Sequence, residues 1–227
     1  MPFTPNAPAF LFENYTRNDR EWFRENREIY EREIRAPFAD IITALTPFMK
    51  ELDPQIICDP KKVSRIFRDA RIARGGPIFR QSIWCSMMRP KEQFISKPEF
   101  YVGISTDGFG WGCGYYKTPN WIMEIIRELI LNGDRTAKAA LKAYSKQDRF
   151  SLYGEMYKRD RYPDRSEEEK QWLDRKSLSV SFESDDPELY FSKDIEKAIL
   201  EDFKTIADIY RLFAKAEDIY TERKANR

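Results

Sequence analysis

Helical hydrophobic periodicity marks both ends of this chain and gives way in the middle to short alternating segments, and that order decides the fold class. Asn18-Asp19-Arg20-Glu21 has the form of a capping box, and Trp22, Phe23, Asn26, Ile29, Tyr30 and Ile34 follow at helical spacing, which predicts a helix over 19–35. Pro37 suits the first turn of a second helix with the stripe Phe38, Ile41, Ile42, Leu45, Phe48, Met49 and Leu52, in which Pro47 predicts a kink or an early stop. Segments 62–73, 82–89, 99–105 and 109–117 are rich in β-branched and aromatic residues and bounded by turn residues, so they read as strands, the last two turning at Asp107-Gly108. Thr118-Pro119 is expected to cap a helix over 120–132, and Asp134 to start another reaching 146. Strands over 150–157 and 177–182, a short helix opened by Ser166 to Glu169, and a final helix over 193–221 complete the reading. The expected fold is α+β: a mostly antiparallel central sheet, helices at the N- and C-terminal ends, and a helical pair inserted after the fourth strand. Without repeats or a Gly/Ser linker, 1–227 reads as a single domain.

A chain of 227 residues buries roughly 70% of its unfolded surface and needs no disulfide or metal to hold a core. Its 16 Phe, 12 Tyr and 5 Trp are therefore assigned to packing before ligand contact. Histidine is absent, which removes the usual general base near neutral pH, every Ser-His-Asp or Cys-His arrangement and the commonest transition-metal ligand. Cys58, Cys85 and Cys113 form no Cys-x-x-Cys pair, so they read as reduced, buried thiols rather than zinc ligands. A divalent cation held by carboxylates alone stays compatible with the sequence, although no calcium loop is present. No basic, apolar leader opens the chain and no run reaches the ~18 apolar residues of a membrane span. A cytoplasmic protein without membrane contact is expected.

A net charge of +1 conceals segregation: residues 61–91 carry nine basic side chains against the single acid Asp69, while 183–202 carry eight acids against two lysines. The two stretches can neutralise one another, lie in water, or drive self-association into a homo-oligomer. Within Arg65-Ile66-Phe67-Arg68-Asp69-Ala70-Arg71, strand alternation sets Asp69 between Arg65 and Arg71 on one face. A carboxylate so placed has a depressed pKa and holds guanidinium forks in an orientation suited to a carboxylate or phosphate.

The motif Asn18 to Phe23, the segment Arg65 to Arg71, the pair Lys158-Arg159 and the run Leu173-Asp174-Arg175-Lys176 together resemble the bacterial proteins grouped as the domain of unknown function 2461. That family's pattern runs N-x-R-E-W-F, then R-I-x-R-D-x-R-F-S-K-D-K-x-P-Y-K, then L-K-R and L-x-x-K, in the same order along nearly the whole chain. The resemblance implies an α+β cytoplasmic protein and brings no activity with it. This chain departs from the pattern at Ile72-Ala73-Arg74-Gly75-Gly76, which lacks the acid and the hydroxyl of the family's F-S-K-D-K, and its proline falls one position early at Pro77. Phe79 and Arg80 keep the aromatic-then-basic pair.

The leading expectation is a pocket for a small anionic ligand built from Arg65, Arg68, Asp69, Arg71, Arg80, Lys158, Arg159 and Lys176. The sequence identifies no catalytic residue and no cofactor, and without histidine any catalysis falls to arginine electrostatics or to a carboxylate, lysine or tyrosine. A second reading is a nucleic-acid module, because Phe67, Phe79, Trp84, Trp111, Tyr115 and Tyr116 interleave with or neighbour the basic stretch; a pI near 7.6 argues against it. A third is a protein-interaction module joined through the basic and acidic stretches. Gly108, Gly110, Gly112 and Gly114 alternate with Phe109, Trp111 and Cys113, which leaves one bare strand face for a closely packed helix or a flat ligand.

Overall fold

The computed structural model describes every residue except 1, 70, 72–74, 91–95 and 227. Helix α1 (Asn6–Arg17) has Pro5 at its N-cap and no side-chain cap, so no start signal precedes it in the sequence. It ends at Asn18 in the left-handed region, φ 52°. The cap of α2 (Arg20–Glu25) is therefore Asp19, whose carboxylate accepts the N–H groups of Glu21 and Trp22. The helix expected over 19–35 breaks at Asn26, continues as α3 (Arg27–Tyr30), and widens into a π-helical turn over Glu31–Arg35 before α4 (Ala36–Leu52). Pro37 explains the turn: it has no N–H for the Glu33 carbonyl and its ring crowds that oxygen, which a wider ladder accommodates. Pro47 does not stop α4, because the carbonyl it leaves unbonded belongs to Thr43, which is exposed to water.

The strands are β1 (Ser82–Met88), β2 (Glu99–Ser105), β3 (Phe109–Gly114), β4 (Ser151–Tyr153) and β5 (Ser179–Ser184), ordered β1-β2-β3-β5-β4 in one sheet. The expected hairpin at Asp107-Gly108 forms, closed by a Ser105 N–H bond to the Gly108 carbonyl of 2.7 Å. β4 pairs antiparallel with β5, with Leu152 opposite Val180. β4 is shorter than the expected 150–157, because Gly154 takes φ 133° and a Cβ there would stand 1.7 Å from the Ser177 oxygen. Both ends of the glycine run meet the backbone of the β5 segment: a Cβ on Gly114 would lie 2.4 Å from the Ser179 α-carbon, and one on Gly108 2.8 Å from the Ser184 oxygen.

The chain folds as two compact units. The first comprises residues 1–87, 101–111 and 183–200, and its core is linked by aromatic rings: Phe3 packs against Phe38 and Tyr190 at 5.0 and 5.1 Å, and Tyr190 stacks on Phe109 at 4.5 Å. Each such pair adds about 0.5–1.5 kcal/mol beyond the area it buries. The second unit comprises 88–100, 112–182 and 201–227. It holds α5 (Asn120–Leu131), α6 (Arg135–Ser145) and α7 (Glu167–Leu173); α8 (Pro187–Tyr190) belongs to the first unit. The terminal helix expected over 193–221 is two, α9 (Ile195–Thr205) and α10 (Ala207–Ala225), separated at Ile206. α10 packs on α5 and α6. Asp134 caps α6 as expected, whereas Thr118 does not cap α5 but accepts the Leu178 N–H at 2.9 Å.

Candidate functional site

Segment 62–73 is not a regular strand over its described residues; 70 and 72–74 lie outside them. It forms a two-stranded ribbon with 78–85 through isolated bridges, Val63 to Cys85 and Phe67 to Phe79. Four steps on one side match six on the other, and the extra residues interrupt the ladder. Arg68 N–H bonds to the Ile78 carbonyl and Arg80 N–H to the Ile66 carbonyl, each at 2.8 Å. These bonds flank Phe67 and Phe79, which share one face with ring centroids 4.9 Å apart. The same alternation puts Ile66, Arg68, Ile78 and Arg80 on the opposite face, with the two arginines on a diagonal.

The helical corner and the ribbon, distant in sequence, meet at this place. Asn18 Oδ1 accepts the Ile78 N–H at 2.7 Å, and the Phe23 ring packs on Phe67 and Phe79 at 5.4 and 5.3 Å. The N-terminal motif thus fixes the ribbon: Asn18 supplies the left-handed corner and the acceptor, Asp19 the cap, and Phe23 the aromatic contact.

Asp69 and Arg71 form the expected fork, Nε to Oδ1 at 3.0 Å and Nη2 to Oδ2 at 2.7 Å, with the Arg71 backbone N–H also on Oδ1. These bonds hold the Asp69 carboxyl down to about 2. Arg65 is exposed and adds a weaker coulombic pull on Asp69. Arg68 is half-buried, and among the described residues its guanidinium reaches the Pro77 carbonyl at 3.5 Å. Arg80 is also half-buried, with its guanidinium 5.1 Å from the Trp84 ring centroid and its buried Nε lacking a hydrogen-bond partner. Neither Arg68 nor Arg80 has a carboxylate partner among the described residues.

Lys158, Arg159 and Lys176 belong to the second unit, and the ribbon group to the first. Lys158 and Arg159 are exposed, while Lys176 pairs with Glu155 and lies 5.6 Å from the Tyr157 ring centroid. Sequence reasoning missed two arginines there. Arg127 is buried on α5, and Arg161 stacks on Tyr157 at 4.6 Å. Asp174 and Arg175 act as framework: Asp174 Oδ1 accepts the Arg161 N–H at 3.0 Å, and Arg175 Nη1 donates to the Gly154 carbonyl at 2.6 Å.

Cys58 and Cys113 are poor nucleophiles. Burial raises Cys58 and raises Cys113 far more, where Glu99 adds to the effect. Trp111 and Tyr115 are buried in the core and offer no stacking surface, whereas Tyr116 is 95% exposed. Asp202 of the acidic stretch pairs with Arg149, and Arg89 of the basic stretch pairs with Asp218. Each partner lies outside the opposite stretch. No described helix is long and apolar enough to cross a membrane.

The α+β architecture and the ordered motifs agree with a family of conserved hypothetical proteins. The family model described as "Conserved hypothetical protein (DUF2461)" matches residues 6–211, so the chain belongs to that family. A search of curated proteins found no match.

Proposed function

We propose that the protein binds small anions bearing carboxylate or phosphate, and that the ribbon arginines form the site. The observation that carries this is the pair Arg68 and Arg80: two half-buried guanidinium groups on one ribbon face, without a carboxylate partner among the described residues. A half-desolvated cation is costly without an acceptor, and a planar or tetrahedral oxyanion supplies one. Asp69 occupies Arg71 and holds its fork in place. Arg65 adds positive potential at the rim, and Lys158, Arg159 and Lys176 supply a separate basic surface in the second unit.

Titration of inorganic phosphate and citrate by calorimetry tests the reading. Arg68→Gln and Arg80→Gln should each weaken binding about tenfold or more, as expected for a lost charge-assisted hydrogen bond, with the circular dichroism spectrum unchanged. Unaltered affinity in both variants would overturn it. Tight oligonucleotide binding with a steep salt dependence, in the absence of phosphate binding, would give the ribbon to nucleic acid instead.

A further inference from the structure

A cleft of about 350 Å³ opens in the second unit between α5 and the 157–162 loop, a volume within the range of small-molecule sites. Glu124, Arg127 and Glu128 line it from one face of α5, and Tyr157, Arg161 and Tyr162 line it from the loop. Arg127 is 7% exposed. Its Nε donates to the Leu173 carbonyl at 3.0 Å and its Nη2 to the Arg175 carbonyl at 2.7 Å, while Nη1 has no hydrogen bond among the described residues. No described carboxylate pairs with it. Buried arginines ordinarily carry an acid partner, and carbonyl dipoles offset only part of a full charge.

The remaining charges of the cleft narrow its occupant. Arg161 lies over the Tyr157 ring, which Arg127 also approaches at 5.6 Å. Asp174, buried, holds both loop residues, its Oδ1 taking the Arg161 N–H and its carbonyl the Tyr157 N–H at 2.8 Å. Glu128 is engaged by Arg223 at 2.7 Å. Glu124, exposed one turn before Arg127, has no ion pair among the described residues and is the internal rival of an incoming anion. Two guanidinium groups against one unengaged carboxylate leave the cleft net positive.

We propose that this cleft is a second, separate anion site, binding a small organic carboxylate or phosphate monoester with its anionic head on Arg127 Nη1 and Arg161 and its apolar body against Tyr162. The inference stands independently of the ribbon.

The test is calorimetric titration of the full chain with benzoate and with phenyl phosphate, the tighter of the two assigning the head group. Saturable one-to-one binding is expected. Arg161→Ala should weaken it about tenfold with the melting temperature unchanged, since that side chain is exposed and ties down no other element. Glu124→Gln should strengthen it severalfold, and Arg127→Lys should weaken it by keeping the charge and losing the fork. Arg68→Gln and Arg80→Gln should leave it unchanged. Failure of both probes to bind the wild-type chain at millimolar concentration, or binding that is indifferent to Arg161→Ala, overturns the proposal.

Discussion

The arginines of the ribbon and those of the cleft are held by different means. On the ribbon, Asp69 grips Arg71 in a fork at the surface, where the Arg71 side chain is 85% exposed. In the second unit, Arg127 lies buried and is held by the carbonyls of Leu173, the last residue of α7, and Arg175, two residues beyond it. The first arrangement orients a charge in water, where ion pairs contribute little to stability. The second makes the guanidinium part of the framework, where each bond to a charged donor contributes about 1.5–3 kcal/mol. The comparison teaches that ribbon substitutions should alter binding at little cost to the fold, whereas substitutions around Arg127 should act on the fold first.

The strongest challenge to that contrast is Gly154→Ala. The new Cβ would collide with the Ser177 carbonyl in a backbone conformation that L side chains rarely adopt, beside the carbonyl that receives Arg175. A loss of about 3 kcal/mol or more in urea unfolding is expected. Arg127→Met keeps most of the volume but deletes both carbonyl bonds, and should cost about 2–4 kcal/mol by the same measurement. On the ribbon side, Asn18→Ala removes the acceptor for Ile78 and strains the left-handed corner, for a loss of about 1–2 kcal/mol; Asn18→Gly should recover the part due to strain.

Asp69 sharpens the comparison through pH. Its folded pKa, about 2, lies below the ~3.9 of an unfolded aspartate. The stabilisation it brings is therefore fully present above about pH 4 and is lost as pH falls toward 2. Acid unfolding of Asp69→Asn should be flatter across that window than wild type, and identical curves would refute the depressed pKa. The smallest effect is expected from Arg71→Ala, whose urea unfolding midpoint should match that of the wild type. In that variant a carboxyl NMR titration should show Asp69 back in the ordinary aspartate range.

Much of the fold was legible because the signals are local. The stripe Phe38, Ile41, Ile42, Leu45 and Met49, the Asp134 cap and the Asp107-Gly108 turn each announce themselves within a few residues. What escaped depends on distant parts of the chain. α1 begins after a proline with no capping side chain, and the breaks at Asn26 and Ile206 interrupt a periodicity that continues through them. The strand expected at 62–73 becomes a bulged ribbon because its partner accommodates extra residues, a feature of pairing that alternation does not encode. Of the candidate site, the pairing of Asp69 with Arg71 could be read from spacing, whereas Arg65, expected to flank Asp69 in the same way, adds only a coulombic pull. Arg127 could not, since on α5 it is one polar residue within an apolar stripe and its partners lie 46 and 48 positions away.

The central claim is that arginines left without an acid partner are the ones that take up anions. Arginine Nε–Hε resonances followed by ¹H–¹⁵N NMR during a phosphate titration would test this most directly. Arg68 and Arg80 should shift along saturable curves with a shared dissociation constant, while Arg71, already held by Asp69, stays still. Small, linear shifts shared by every arginine would contradict the account and reduce the ribbon to a solvated basic surface.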